Sequence, residues 1–300
     1  TAMALSMMVG LMGVNASAYE AGSYDGVSIT MLNTKSELQD YLVDAAAEWG
    51  ELTGASLDVY TISDSGSPSQ EIAARYAPTL IMGDVQDVSD ICEEYGADLS
   101  NESWAANGGE TYGVSVDGKL YSFPFCIEGR GLIYNKTAIE ETLGEEWDPS
   151  SVTNMDDLAV LLEKLVKNGM EYPAALNMED WALAGHYLTQ VYEEQDSTME
   201  TTSKFIDDLK AGNVDLMSNQ RFTALMDTFD LLAQYNINKV DPLAADYATN
   251  CADLAEGEGA IYFNGNWAWA EISSYIEDGT EIGIMPVMQN ETSENEAVNS

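Results

Sequence analysis

Basic residues are scarce in this chain. Its 300 residues hold 11 Lys and Arg against 52 Asp and Glu, a formal net charge of −41 at pH 7. Such a surface repels phosphate backbones and anionic lipid headgroups, which argues against nucleic-acid and membrane-surface partners. The carboxylates are spread along the chain, the pattern of a solvated acidic shell and not of an interaction tail. Histidine occurs once, at His186, which excludes the usual multi-histidine zinc sites and weighs against a Ser-His-Asp triad. The three cysteines, Cys92, Cys126 and Cys251, are widely scattered, without CxxC or metal-ligand spacing. Cys126 reads as a small core residue of an apolar strand, and a Cys92–Cys251 pairing stays open. There is no Walker loop, HExxH or EF-hand loop, and Gly257-Glu258-Gly259 is too little for a nucleotide loop. No cofactor or metal is therefore expected. Internal repeats and Ser/Gly-rich linkers are also missing, so two lobes that exchange strands are expected in place of tandem domains.

What is present is an apolar fraction of 45%, enough to build real cores at a length that suggests about two domains. Met3 to Val14 is an apolar stretch too short to span a bilayer, and Ala16-Ser17-Ala18 supplies a small-x-small cleavage pattern. Residues 1–18 are read as the remnant of a signal peptide with cleavage before Tyr19, and an exported protein is expected. The rest alternates between strand and helix. Val27–Leu32 and Leu57–Ile62 read as strands around a helix capped by Ser36, with Leu38, Leu42, Ala45, Trp49 and Leu52 recurring at helical spacing. Pro78–Met82 is a further strand, and Asp98–Gly118 is mostly loop. Asn154 or Thr153 caps a strongly amphipathic helix closed by Gly169. Pro173–Leu176, Gly259–Phe263 and Ile282–Val287 read as strands, and Phe205–Leu209 and Phe222–Ala233 as parts of helices.

Two stretches carry more specific information. "KLYSFPFCIEGRGLIYNK" (119–136) reads as two extended pieces around Pro124, with Glu128 in an otherwise apolar, buried strand. An unpaired carboxylate there is expensive, and a pair with Arg130, two residues on, is the plain structural explanation. "NGNWAW" (264–269) places two tryptophans at a strand-to-helix turn. Either ring can fill a gap between helix and sheet, or one can form a flat platform for a ligand.

These stretches resemble the extracellular solute-binding proteins of bacterial ABC sugar importers, the group that includes maltose-binding protein. Gly118 to Lys136 is similar to the family's "GK-hydrophobic-PxxxE-xxx-LIYNK" stretch. Asn264 to Trp269 resembles its "NGxWAW" segment, and "NMDDLAVLLEKLVKNGMEYPAALN" resembles a family helix and strand. "ITMLNTKSELQDYLVDAAAEWGELTG" resembles its first strand and long helix. The likeness runs in order from about Ser28 to Val287.

The resemblance implies an α/β, two-lobed periplasmic-binding-protein fold of type II with a ligand cleft between the lobes. It places the first lobe at 19–133, the second at 134–285, and a return segment at 286–300; family members continue further, so the chain is expected to be truncated at its C-terminus. It also implies a non-enzymatic receptor for mono- or oligosaccharides that closes by hinge motion and delivers ligand to the membrane permease subunits of an ABC importer, acting as a monomer. Trp267 aligns with the family's stacking tryptophan and Glu128 with a hydroxyl acceptor; Trp269 is expected in the core. One of Glu179 and Asp180, with Trp181, is expected to face the ligand. Lys35, Asn33 and Asn264 are expected as polar contacts. Asp84 either binds hydroxyls or caps the following helix, and Arg130 can meet an acidic ligand. The loop after Thr79–Met82 lacks the aromatic of maltose-binding protein, which implies a different sugar. A solute other than a sugar, such as a polyamine, an acidic sugar, or a glycosidase using acids such as Asp84 and Glu128, are the competing alternatives.

Overall fold

The computed structural model describes residues 22–290 except 63–66, 75–76, 194, 196–197 and 245. The signal-like segment lies outside the described residues. The chain divides into two compact units at Ile127/Glu128.

The first unit is built on a parallel three-stranded sheet of order β2-β1-β3, with β1 at Ser28–Asn33, β2 at Ser56–Thr61 and β3 at Leu80–Met82. Ser28 to Asn33 pair in register with Ser56 to Thr61. The connecting helix α1, Gln39–Thr53, ends at Gly54, whose φ of 78° is the left-handed cap that glycine adopts without strain. Its start differs from expectation. Ser36 opens a 3-10 turn, Ser36–Leu38, and no side chain caps α1. Its inward stripe is also rotated by one residue: Ala46 and Thr53 are buried, Leu42 and Trp49 half-buried, and Ala45 and Leu52 exposed. The Thr53 hydroxyl is accommodated there by donating to the Trp49 carbonyl at 2.7 Å. Helices α2 (Pro68–Ala74) and α3 (Val85–Tyr95) follow, and a short hairpin, β4 Ser115–Val116 with β5 Lys119–Leu120, lies within and just after the stretch read as loop.

The second unit carries a four-stranded sheet of order β7-β8-β6-β9. Strand β6 is Arg130–Asn135, β7 Ala174–Ala175, β8 Ile261–Gly265 and β9 Ile282–Met285. Strand β6 runs antiparallel to β8 and β9, and β7 parallel to β8. Between them come α4 (Lys136–Leu143), α5 (Met155–Lys167), α6 (Gln190–Glu193), α7 (Met199–Lys210), α8 (Gln220–Gln234), α9 (Tyr247–Glu256) and, after β8, the short α10 (Trp269–Ile272).

Helix α5 shows how sequence makes this core. Asn154 accepts the Asp157 N–H at 2.9 Å, acids fill the first turn, and Lys164 and Lys167 the last, each favourable to the helix dipole. Leu158, Leu161, Leu162 and Leu165 then fall on one buried face against Leu132, Ile139, Leu225, Ile261 and Phe263. Each such leucine contributes about 1.5–3 kcal/mol by leaving water. Asn135, the asparagine of "LIYNK", is buried and caps α4 through the Ala138 N–H at 2.9 Å while donating to the Leu254 carbonyl at 2.8 Å. That part of the motif is structural.

Candidate functional site

Strands β7 and β8 run side by side, Ala175 opposite Tyr262, so the residues that follow them emerge at one edge of the sheet. Strand β6 begins at the same edge, with Arg130 opposite Gly265. Loop groups after β7 and β8 and at the start of β6 therefore converge at the carboxyl ends of parallel strands, where α/β sheets generally hold ligands.

The turn after β8 is fixed from both sides. Asn266 donates its N–H to the Gly129 carbonyl and its Oδ1 accepts from the Gly129 N–H, each at 2.9 Å. Strand β8 extends through Gly265, and Asn266–Ala268 forms a 3-10 turn, so the turn expected to begin at Asn264 begins two residues further along. Trp267 is half-buried and packs on a cluster that includes Ile133, Cys251, Tyr262 and Ile272. A Cβ on Gly265 would fall within its ring, so only glycine lets the ring lie on the strand there. Trp269 was expected in the core; it is 49% exposed, and Ala268 takes the buried position. The 3-10 turn accounts for this, since it rotates successive residues differently from an α-helix.

Three more rings join Trp267. Its centroid lies 4.8 Å from that of His186, His186 lies 5.7 Å from Trp181, and Trp181 lies 5.9 Å from Tyr247. Trp181 opens Trp181–Leu188, a π-helical segment. In that geometry residues five apart become neighbours, which brings Trp181 over His186. Trp181 is 38% exposed. The two acids before it take different roles. Asp180 is exposed and its carboxylate accepts the Trp181 N–H at 2.8 Å, at the start of this segment. Glu179 Oε1 accepts the Tyr247 N–H at 3.0 Å, while Oε2 is buried with no hydrogen-bond partner.

Beneath the rings lies a buried amide network. Asn177 Oδ1 accepts from the Tyr262 hydroxyl and from Asn250 Nδ2, both at 2.7 Å. Asn264 Nδ2 donates to the Tyr262 hydroxyl, and its Oδ1 accepts the Gly265 N–H at 2.8 Å. Asn264 is 2% exposed, so its side chain is spent on shaping the turn. Burial holds the Tyr262 phenol well above its usual pKa and pushes the Cys251 thiol up to about 12. The floor of the site is uncharged.

Glu128 was expected in a buried strand paired with Arg130. It is half-buried and precedes β6, because residues 121–129 form no strand. Arg130 pairs with Glu193 of α6; its side chain is 8% exposed, and its Nε has no hydrogen-bond partner. Cys126, expected in the core, is exposed, and none of the three cysteines is in a disulfide.

The first unit gathers a separate group at the carboxyl ends of β1 and β3. Asn33 is fully buried, accepts the Lys35 N–H at 2.9 Å, and donates to the Lys35 carbonyl and to Gln39. It builds the loop. Lys35 lies 3.8 Å from Glu37. Asp84 is the cap of α3, accepting the Asp87 N–H at 2.9 Å; its charge, after burial, helps raise the Asp87 pKa. Among the described residues no group of three or more His, Cys, Asp or Glu is placed to hold a metal, and no helix is long and apolar enough to cross a membrane.

His186, Tyr247, Asn177 and Tyr262 are site residues that the sequence does not single out. Only His186 and Tyr247 carry any signal, as rings without an evident core, and the π-helical spacing hides the first of them.

The sequence profile of the bacterial extracellular solute-binding protein family matches residues 20–297. Among solved structures, a solute-binding protein RafE in complex with raffinose aligns with a TM-score of 0.71 at 19% identity, covering 87% of this chain and 68% of that one. A chitin oligosaccharide binding protein aligns at 0.61, 19% identity, covering 87% and 67%. The GacH receptor of Streptomyces glaucescens, solved unliganded and with acarbose, aligns at 0.60, 18% identity, covering 87% and 66%. These likenesses show the fold, over about two thirds of each relative's length. No curated protein matches the chain.

Proposed function

This chain belongs to the bacterial extracellular solute-binding protein family, and from that premise we propose that it is the carbohydrate receptor of an ABC importer. The observation that carries this is the edge of the second unit's sheet, where Trp267 and Trp181 present rings beside hydrogen-bonding side chains. Flat rings cover the C–H face of a pyranose, and carboxylates accept its hydroxyls strongly. Trp267 is the stacking platform and Trp181 a second ring. Glu179 accepts hydroxyls in preference to Asp180, whose carboxylate is used at its own segment's start. Glu128, half-buried beside the Trp267 turn through the Gly129–Asn266 bonds, is a further acceptor. Lys35 is kept as a candidate polar contact, whereas Asn33, Asp84 and Asn264 serve structure. Proteins of similar fold bind raffinose, chitin oligosaccharides and acarbose, which supports a saccharide as the ligand.

The protein acts outside the cytoplasm as a monomer, binds without cleaving, and hands its ligand to permease subunits. We take the two compact units divided at Ile127/Glu128 as its two lobes. Arg130 is matched by Glu193, which weighs against an acidic sugar.

Titration calorimetry with neutral oligosaccharides tests this proposal. The parent binds at least one. Trp267→Ala removes a stacking contact worth about 1–3 kcal/mol, an affinity loss of roughly 5- to 150-fold. Unchanged affinity in Trp267→Ala, with stability alone reduced, would make the turn a packing feature and defeat the assignment.

A further inference from the structure

We propose that this site selects solutes carrying a protonated amine, amino sugars first among them, with the Glu179 carboxylate as counter-ion. The inference rests on the carbohydrate-receptor reading above and narrows its ligand class.

The Glu179 side chain is anchored on one side only. Oε1 accepts the Tyr247 N–H at 3.0 Å, and Oε2 is buried without a hydrogen-bond partner among the described residues. None of the described ion pairs includes Glu179. A carboxylate oxygen kept from water with neither donor nor cation is costly. A hydroxyl offsets that cost by one dipole; an ammonium supplies donors and the opposite charge together.

The rings reinforce the preference. Tyr247 carries the amide that holds Oε1, its ring lies 5.9 Å from that of Trp181, and their planes meet at 67°. His186 stands at 76° to Trp181 on the other side. Rings turned against one another offer faces from several directions, the arrangement that attracts a cation as well as a C–H surface. Oε2 is covered in this conformation, so access to it requires a side-chain movement.

The cation that recognises a ligand carboxylate would be Arg130, but Glu193 already pairs with it. At the scale of the chain, a net charge of −41 concentrates cationic solutes near the surface and depletes anionic ones. Local and global electrostatics favour the same ligand sign.

The test uses matched pairs in which amines replace 2-hydroxyls: one in glucosamine against glucose and in galactosamine against galactose, two in deacetylated chitobiose against cellobiose. Affinities are measured by calorimetry on the full chain at about pH 6, where the amines are protonated. At least one amine binds about tenfold or more tighter than its hydroxyl partner. N-acetylation, which removes the charge, abolishes that preference in the parent. Glu179→Gln, which keeps an oxygen acceptor for the Tyr247 N–H, abolishes it too. Equal or weaker binding of every amine, or a preference that survives both acetylation and Glu179→Gln, overturns the proposal. Neutral binding without amine preference does so while leaving the receptor reading standing; no binding by either series overturns both.

Discussion

At Gly265 the strand has no room for a side chain, because the Trp267 ring occupies the volume a Cβ would take. Gly265→Ala must displace the ring or bend the end of β8, and the variant is expected to melt earlier and to bind neutral saccharides more weakly. A melting temperature and affinity equal to the parent's would show that the ring is not held where stacking needs it. At this scale part of the candidate site is legible in the sequence: Trp267 and Trp181, with the Glu179–Asp180 pair between which the sequence does not choose, follow β8 and β7 at one end of the sheet. Other single residues are not. Asn33 and Asp84 have polar side chains suited to a ligand, but each satisfies a local backbone N–H, and sequence does not show which demand wins. Trp269 is misplaced by the sequence pattern because two apolar residues cannot distinguish a 3-10 turn from an α-helix.

Among the elements, those with long, strongly periodic patterns are the ones sequence places best, and α5 is the clearest. Its four leucines and its Asn154 cap are where the spacing puts them. Shorter or less apolar elements fare worse. Helix α1 buries Ala46 and Thr53 in place of Ala45 and Leu52, since a threonine that returns its hydroxyl to the helix carbonyl packs inward against composition. The apolar run 121–129 forms no strand, because Pro124 lacks an amide donor and interrupts any ladder. The start of α5 also carries a pH signature. Hydrogen bonds from the Thr153 hydroxyl and amide to Asp157 Oδ2, at 2.7 and 3.0 Å, hold the Asp157 pKa below its ordinary 3.8. The folded state thus favours the carboxylate, so its stabilisation is complete above about pH 4 and lost as pH falls through the depressed folded value. Asp157→Asn is expected to lower stability near neutrality and to flatten the acid limb of the stability curve. Parallel curves for variant and parent between about pH 5 and 2 would contradict that origin.

For the whole molecule, charge and fold class are legible in the residues alone, and the architecture agrees with them. A net −41 weighs against polyanionic partners, and two compact α/β units, one with a parallel and one with a mixed sheet, match the fold of solute-binding proteins. Which solute the site takes is not legible, because ligand identity depends on a few side-chain orientations that periodicity does not encode. The central claim is that the molecule holds a saccharide and returns it unchanged. The most direct measurement incubates the protein with an oligosaccharide that stabilises it, releases the ligand by denaturation, and weighs it by mass spectrometry while counting new reducing ends. The expected result is a rise in melting temperature with ligand concentration, as mass action requires, and a recovered ligand of unaltered mass. Shortened saccharide, with reducing ends accumulating in turnover, would contradict it.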